Sequence, residues 1–248
     1  ISLIFLLLAL FITYKMAFEI SKSRIGSILG IAILLYFLAI PGLMMYESSL
    51  IICLISILLL LNFKITQQND KISKKNLLGI LFVWSLIPLV RPDAIIIVFI
   101  HLLALICILF KNKKLVFLFL FIFILSLLPS FLYFSYSYLT SGVFSVSSYS
   151  RAFALKEGAN SFLGLHYSLS AIKLFLSFPL ICMICFAFWG WEKYKKIDKI
   201  YKLTAYFAVA VLVCYLLMLS IISPVSADIG RYILPTLPFL VLFASFGF

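Results

Sequence analysis

The residues of this chain that could do chemistry are a small set of ionisable side chains at four polar breaks between apolar runs. The breaks lie near 41–49, 91–93, 139–166 and 223–231. They contain Glu47, Arg91, Asp93, Arg151, Lys156, Glu157, His166, Asp228 and Arg231. Arginine and lysine bind anions, whereas carboxylates orient cations or accept protons. Because charged groups beside long apolar runs are costly unless paired or used, their recurrence predicts a polar functional site.

The other breaks carry most of the basic residues. They lie at 15–24, 64–76, 111–114 and 192–202, and they hold fifteen of the twenty Lys and Arg. Such an excess is typical of the cytoplasmic loops of membrane proteins. The two sets of breaks face opposite sides of a membrane on this rule, so the candidate site is predicted to open on the outer side.

Composition and the placement of charge agree with this topology. Apolar residues make up 65% of the chain, aromatic residues make up 17%, and the mean hydropathy is +1.25. These values exclude an ordinary soluble domain, in which about half of the residues are apolar. The formal charge of +12 is carried by short loops beside apolar runs. That placement indicates orientation and contact with anionic lipid, and it argues against a nucleic-acid partner.

The hydropathy pattern predicts an all-α fold, a polytopic transmembrane helix bundle that forms a single domain over residues 1–248. About nine spans are expected, since backbone groups in lipid must be hydrogen-bonded within a helix. The spans fall near 1–14, 25–44, 47–63, 77–90, 94–110, 115–138, 167–190, 203–222 and 232–248. Because the chain opens at Ile1 and ends at Phe248 within apolar runs, we expect it to be a fragment that lacks upstream spans and the first outer loop.

Two neighbouring spans are short, and the turn between them contains an arginine and an aspartate. Residues 77–90 and 94–110 would make helices of roughly 21 and 26 Å, against a hydrocarbon core of about 30 Å. The Arg91-Pro92-Asp93 turn is therefore predicted to lie below the outer lipid surface. Either Arg91 and Asp93 form a pair that snorkels and caps two helix ends, or Arg91 presents its guanidinium to an anionic headgroup and Asp93 orients it.

Two further outer segments each allow two interpretations. Glu47 follows the helix-breaking Pro41-Gly42 pair, and it either caps the next helix or hydrogen-bonds a sugar hydroxyl or an acceptor. The segment from 138 to 166 interleaves hydroxyls and aromatic rings with Arg151 and Lys156. That mixture suits contact with carbohydrate and phosphate, but it suits a solvated loop equally well.

A second arginine lies near the end of the chain, at the outer mouth of a helix that contains prolines. Arg231 follows Asp228 and precedes Pro235 and Pro238. Two arginines at one depth could share a diphosphate or a phosphodiester, because each guanidinium binds two oxygens at once. We therefore expect Arg231 and Arg91 to border one outward cavity.

Taken in order, these segments resemble the GT-C glycosyltransferases, and most closely the bacterial polyprenyl-phosphate-sugar transferases of the arabinofuranosyl- and mannosyltransferase type. The resemblance covers residues from about 40 to 248, and Arg-Pro-Asp after an apolar run is its most specific part. The matching residues are Gly42 with Glu47-Ser48-Ser49, Arg91-Pro92-Asp93-Ala94, the loop from Tyr138 to Lys156, and Arg231-Tyr232 with Leu234-Pro235 and Pro238.

The resemblance implies transfer of a sugar from a polyprenyl-phosphate donor to a glycan or protein acceptor, on the extracytoplasmic face of the bacterial inner membrane. Arg91 and Arg231 would hold the phosphate leaving group, Lys156 would assist, and Asp93 and Glu47 would orient those groups or the acceptor. The substrate-binding residues that it implies are Glu47, Arg91, Asp93, Arg151, Lys156, Arg231 and Tyr232, with His166 and Asp228 as further candidates.

The same resemblance leaves the catalytic base and the cofactor unassigned. The acidic residues of the family lie in the first outer loop, which would precede Ile1. A divalent metal could bind through that upstream loop, and no residue of this chain is predicted to hold one. The five cysteines all lie in apolar spans without a His partner, which argues against a zinc or redox site. His101 lies in mid-span, where we expect a hydrogen bond to a neighbouring helix.

Two other functions fit the same topology. A transporter of lipid-linked glycans or small solutes would line several spans with polar residues from end to end. An O-antigen polymerase or ligase would use the 139–166 loop and His166. The clustering of polarity on one face favours the transferase.

The charge distribution makes a prediction about topology. Cysteines introduced at Lys75, Lys114 and Lys196 should react only from the cytoplasmic side, and those at Ser147 and Ala227 only from the outside. Labelling of intact and permeabilised cells with a membrane-impermeant maleimide measures this. A single loop on the wrong side would contradict the shared outer face.

Overall fold

The described part of the chain is all-helical and contains no strand. A computed structural model describes residues 2–38, 46–67, 72–110 and 112–142, together with Ala210, Pro238 and Val241. In these ranges the α-helices are α1 (Ser2–Ser21), α2 (Arg24–Leu38), α3 (Tyr46–Gln67), α4 (Lys74–Val90), α5 (Ile95–Leu109) and α6 (Lys113–Ser141). A short 3-10 helix, Pro92–Ala94, joins α4 to α5. The all-α prediction is confirmed for these residues.

Local sequence sets several helix ends. The Ser73 side chain accepts a hydrogen bond from the Asn76 amide at 3.3 Å and caps α4. Asn112 caps α6 in the same way, through the Leu115 amide. Gly142 follows the last residue of α6 as its C-cap, and its φ of 72° is a left-handed conformation that glycine adopts without strain.

Charged residues do not interrupt the helices as the predicted breaks implied. Lys15 and Glu19 both lie within α1, and the connection to α2 is only two residues, Lys22 and Ser23. Lys and Glu are good helix formers, so a charge near a helix end does not by itself end the helix. The predicted span 1–14 is therefore too short, and the predicted break at 15–24 is mostly helical.

The helices pack around a shared apolar core. α1 packs against α2 and α3, α3 against α4, and α6 against both α4 and α5. Trp84 and Phe119 are fully buried where α4 meets α6, and a run of isoleucine and leucine side chains fills the α3 side. α3 and α4 therefore lie at the centre of the described bundle.

Contacts between neighbours fix the direction of each helix. Leu61, near the end of α3, packs against Gly79, near the start of α4, so these two helices are antiparallel. The Trp84–His101 contact lies equally far from the Arg91 turn on α4 and on α5, and the Phe99–Phe123 contact lies equally far from the turn between α5 and α6. Each of these pairs is therefore antiparallel, which makes α4 and α6 parallel; their Trp84 and Phe123 rings are 6.1 Å apart. The end of α3 and the starts of α4 and α6 thus share one end of the bundle. The basic residues at that end are Lys64, Lys74, Lys75, Lys113 and Lys114.

The described helices differ from the predicted set of spans in length. Among them, only α6, over Lys113–Thr140, is long and apolar enough to cross a bilayer by itself. α2 and α5 have 15 residues each, or roughly 22 Å, which is less than a hydrocarbon core of about 30 Å. The predicted spans at 167–190, 203–222 and 232–248 lie outside the described residues, apart from single positions. Nine full-length spans are therefore not supported.

Candidate functional site

The candidate site is built on the turn at the end of α4. The backbone leaves the helix at Arg91, whose φ and ψ are −144° and 113°, while its amide still donates to the Ile87 carbonyl at 3.1 Å. Pro92 causes this change, because its ring excludes a helical conformation at the preceding residue. The Arg91 carbonyl then accepts from the Ala94 amide at 2.9 Å and closes the 3-10 turn. The predicted helix end at Arg91 is confirmed.

Arg91 is buried within the bundle and does not snorkel to the surface. Only 2% of its surface is exposed. Arg91 lies seven residues after the fully buried Trp84 and one turn after the buried Ile87 and Pro88, so it directly follows the buried face of α4, the helix that packs against α3 and α6. An arginine stays charged in a protein, and a buried guanidinium needs several acceptors. Burial therefore argues against an Arg91 side chain that reaches out to the lipid surface. Its pairing with Asp93 stays a prediction, because the Asp93 side chain lies outside the described part of the structure.

The other predicted site residues are described only in part or not at all. Asp93 lies in the same 3-10 turn as Arg91, and Glu47 lies in the first turn of α3, where a helix dipole favours an acidic residue. Only the backbone of these two residues is described. Six predicted residues lie outside the described part of the chain: Arg151, Lys156, His166, Asp228, Arg231 and Tyr232. Their meeting with Arg91 in one cavity stays a prediction.

A buried polar network lies two turns below Arg91. The Trp84 indole N–H donates to Nδ1 of His101 at 2.9 Å, and Nε2 of His101 is 2.7 Å from Oδ1 of Asn62. All three side chains are buried. Because an indole can only donate, Nδ1 must be the acceptor, and the ring is neutral with its proton on Nε2, directed at Asn62. The predicted hydrogen bond between His101 and a neighbouring helix is confirmed.

This network holds the hairpin that carries Arg91. Trp84 is on α4, His101 is on α5, and Asn62 is on α3, so one imidazole connects three helices. Trp84 and His101 lie on the two arms of the hairpin, on either side of the Arg91 turn. The sequence predicts that His101 has a hydrogen-bond partner, because a polar residue in an apolar run needs one. It does not identify Asn62 or Trp84 as that partner.

A second polar contact joins α1 to α3. Ser56 donates to the Ile52 carbonyl at 2.9 Å, which uses its one hydrogen. The Thr13 hydroxyl, 3.0 Å away, must then donate to Ser56. Both hydroxyls are buried and hydrogen-bonded within the protein, as expected for a packed interface between α1 and α3 and not for an open channel.

The described residues contain no group of three or more His, Cys, Asp or Glu that could hold a metal ion. Cys53 is buried and Cys107 is exposed, and both lie on helices.

No family model, curated protein or solved structure gives a significant match to this chain. The site must therefore be judged on its own geometry.

The histidine network makes a prediction about stability. Asn62→Leu should lower the free energy of unfolding by about 1–2 kcal/mol, because the buried His101 N–H loses its acceptor. Trp84→Phe should have a smaller effect when Asn62 is already Leu, since both changes act through the same imidazole. Thermal unfolding in detergent measures both effects.

Ser85→Ala is the matched control, because the Ser85 hydroxyl bonds only to the Leu81 carbonyl of its own helix. We expect this variant to unfold within about 0.5 kcal/mol of the parent protein. Unchanged stability of Asn62→Leu would show that the network does not hold the hairpin.

Proposed function

We propose that this chain is the membrane core of a glycosyltransferase of the GT-C kind, which transfers a sugar from a polyprenyl phosphate to an extracytoplasmic glycan or protein acceptor. The proposal includes a polytopic bundle of about nine spans, several of them too short to cross a bilayer without help from their neighbours. One observation carries it. The Arg91 guanidinium is buried at the end of a short helix, on the face directed into the bundle.

The surface of α6 supports a membrane environment. Phe117, Phe121, Ile124, Leu128, Phe131 and Leu132 are all exposed along this helix. A continuous apolar face of this length would be a strong aggregation site in water, whereas in lipid it is ordinary. Lys113 and Lys114 lie at one end, and the exposed Tyr133 and Tyr136 begin roughly 30 Å further along. Basic residues on one side and aromatic rings at the interface are the expected anchors of a span.

A buried arginine suits the chemistry of a phosphate leaving group. In the proposed reaction an acceptor hydroxyl attacks the anomeric carbon, and the bond from that carbon to the phosphate oxygen breaks. Negative charge then grows on the departing polyprenyl phosphate. A fixed guanidinium in a site that excludes water stabilises this charge without reorganisation, and it binds two oxygens at once.

The other predicted residues complete the proposal. Lys156 and Arg231 would add positive charge beside the phosphate, and Asp93 and Glu47 would orient the cations or the acceptor. Arg151 and Tyr232 would contact the substrate, with His166 and Asp228 as further candidates. The base that takes the proton of the acceptor is not assigned to any residue here.

A transporter is the second candidate, because Asn62, His101, Thr13 and Ser56 place polar groups deep in the bundle. Those groups are hydrogen-bonded to one another, which leaves them poorly suited to bind a passing solute. Purified protein in liposomes distinguishes the two functions. A transferase forms a new glycosidic bond, whereas a transporter moves an unchanged molecule across the membrane.

The proposal predicts a sharp difference between arginine and lysine at position 91. In the full-length protein, Arg91→Lys should slow turnover of a polyprenyl-phosphate sugar by a factor that corresponds to about 2–4 kcal/mol of activation free energy. Lysine keeps the charge but loses the planar fork that bridges two phosphate oxygens. Initial rates at saturating donor, with expression and thermal stability measured in parallel, give the answer.

Arg24→Lys is the control, since Arg24 is exposed at the start of α2 and lies over the Phe18 ring. This variant should retain the parent rate, because an exposed cation of either type contributes little. Arg91→Lys protein that is folded and turns over donor at nearly the parent rate would reject the phosphate role of Arg91.

A further inference from the structure

Ser130 on α6 is a buried hydroxyl that behaves unlike its neighbours. Helix interiors commonly satisfy a serine or threonine hydroxyl by donation to a carbonyl three or four residues earlier. Six hydroxyls of the described helices do this, at 2.7–2.9 Å: Ser21, Ser27, Ser56, Ser85, Ser126 and Thr140. Ser130 is 4% exposed, and its oxygen makes no hydrogen bond with any residue of the structure as described.

An unsatisfied buried hydroxyl is costly, by about 1–3 kcal/mol. Small residues let helices approach closely, so small size is one reason for a serine in a helix. Alanine would serve that purpose without the cost. The described part of the chain supplies no hydrogen-bond partner for this hydroxyl, and a bound ligand would satisfy it.

The register of α4 and α6 places Ser130 at about the level of Arg91, within one helical turn. The two helices run parallel, and the rings of Trp84 and Phe123 meet at a centroid distance of 6.1 Å. Arg91 lies seven residues after Trp84, and Ser130 lies seven residues after Phe123. Seven residues are almost two full turns, so each residue returns to the same helix face about 10.5 Å further along.

Both residues are also on the buried faces of their helices. On α6 the buried positions are Phe119, Ile122, Ser126 and Ser130, which follow one stripe toward the level of the Arg91 turn. The register therefore places a permanent cation and a buried hydroxyl at about one level, each on the buried side of its own chain segment. This is the donor set of an oxyanion site, since a guanidinium and a hydroxyl both donate to the same kind of ligand.

We propose that the Ser130 hydroxyl donates a hydrogen bond to the isoprenoid phosphate that Arg91 holds. The inference rests on the proposed function for the ligand and for the role of Arg91, and it adds a residue to the site. The exposed Phe131 and Leu132 follow Ser130 on the opposite, apolar surface of α6. An isoprenoid tail could lie along that surface while the phosphate reaches the buried side.

The test measures binding of farnesyl phosphate to the purified full chain in detergent by titration calorimetry, with farnesol and inorganic phosphate as comparison ligands. Farnesyl phosphate should bind more tightly than either one, since only it combines the tail with the charge. Ser130→Ala should weaken this binding about tenfold or more, as expected for loss of a hydrogen bond to a charged group. Ser126→Ala is the matched control, because that buried hydroxyl is already satisfied by the Phe123 carbonyl.

The outcomes separate this inference from the proposed function. If Arg91→Lys weakens binding of farnesyl phosphate and Ser130→Ala does not, the role of Ser130 is overturned and that of Arg91 stands. If the parent protein fails to bind farnesyl phosphate, both are overturned. Equal binding of inorganic phosphate would overturn the lipid ligand.

Stability supplies an independent readout. Ser130→Ala should unfold at the same temperature as the parent protein or above it, because it removes a buried donor that bonds to none of the described residues. A destabilised or unfolded Ser130→Ala variant would show that the hydroxyl bonds within the protein, and it would overturn the inference.

Discussion

Burial of polar groups in an apolar bundle is the constraint on which the rest of this structure depends. Each donor or acceptor removed from water costs free energy until it finds a partner, and the apolar surroundings offer few. Some buried hydroxyls of the described helices bond to a carbonyl of their own helix. Other polar groups bond between helices, as in the Thr13–Ser56 pair and the Asn62–His101–Trp84 network. These contacts decide which faces of α3, α4 and α5 can meet.

The same constraint applies to the polar groups along the buried side of α4 and at its end. One stripe of this helix carries Trp84, whose polar group is satisfied, and then Arg91, whose charge cannot be removed. The histidine network fixes the lower part of the α4–α5 hairpin, and Pro92 ends the helix at the level of the arginine. A rigid hairpin with a cation at its tip is a suitable support for anion binding, because the guanidinium is held in place before a ligand arrives.

The parts of this arrangement that are local in sequence were predictable. Pro92 excludes a helical conformation at Arg91 by covalent geometry, so the turn followed from the residue types alone. That His101 would need a partner followed from its place in an apolar run. The identity of that partner did not, because Asn62 is 39 residues away in sequence and is brought close only by packing.

Other features could not be obtained from hydropathy. Hydropathy alone marks Lys15 as a break, yet α1 continues through it because the Lys15 side chain lies on an exposed face of the helix. Ser130 was missed because a lone serine among leucine and phenylalanine looks the same whether its hydroxyl is satisfied or not. Its burial without a hydrogen bond to any described residue distinguishes it, and the register between α4 and α6 brings it to the level of Arg91. The candidate residues between 151 and 232 lie outside the described residues, and their roles stay predictions.

The central claim is that Arg91 and Arg231 border one site for a polyprenyl phosphate inside the bundle. The most direct measurement is photolabelling of the purified protein with a polyprenyl phosphate that carries a diazirine on the isoprene unit next to the phosphate, followed by mass spectrometry. The account predicts labelled peptides from both the α4–α5 turn and the segment around Arg231, and loss of both labels when unlabelled polyprenyl phosphate competes. Labels confined to the exposed face of α6, unaffected by competitor, would contradict it.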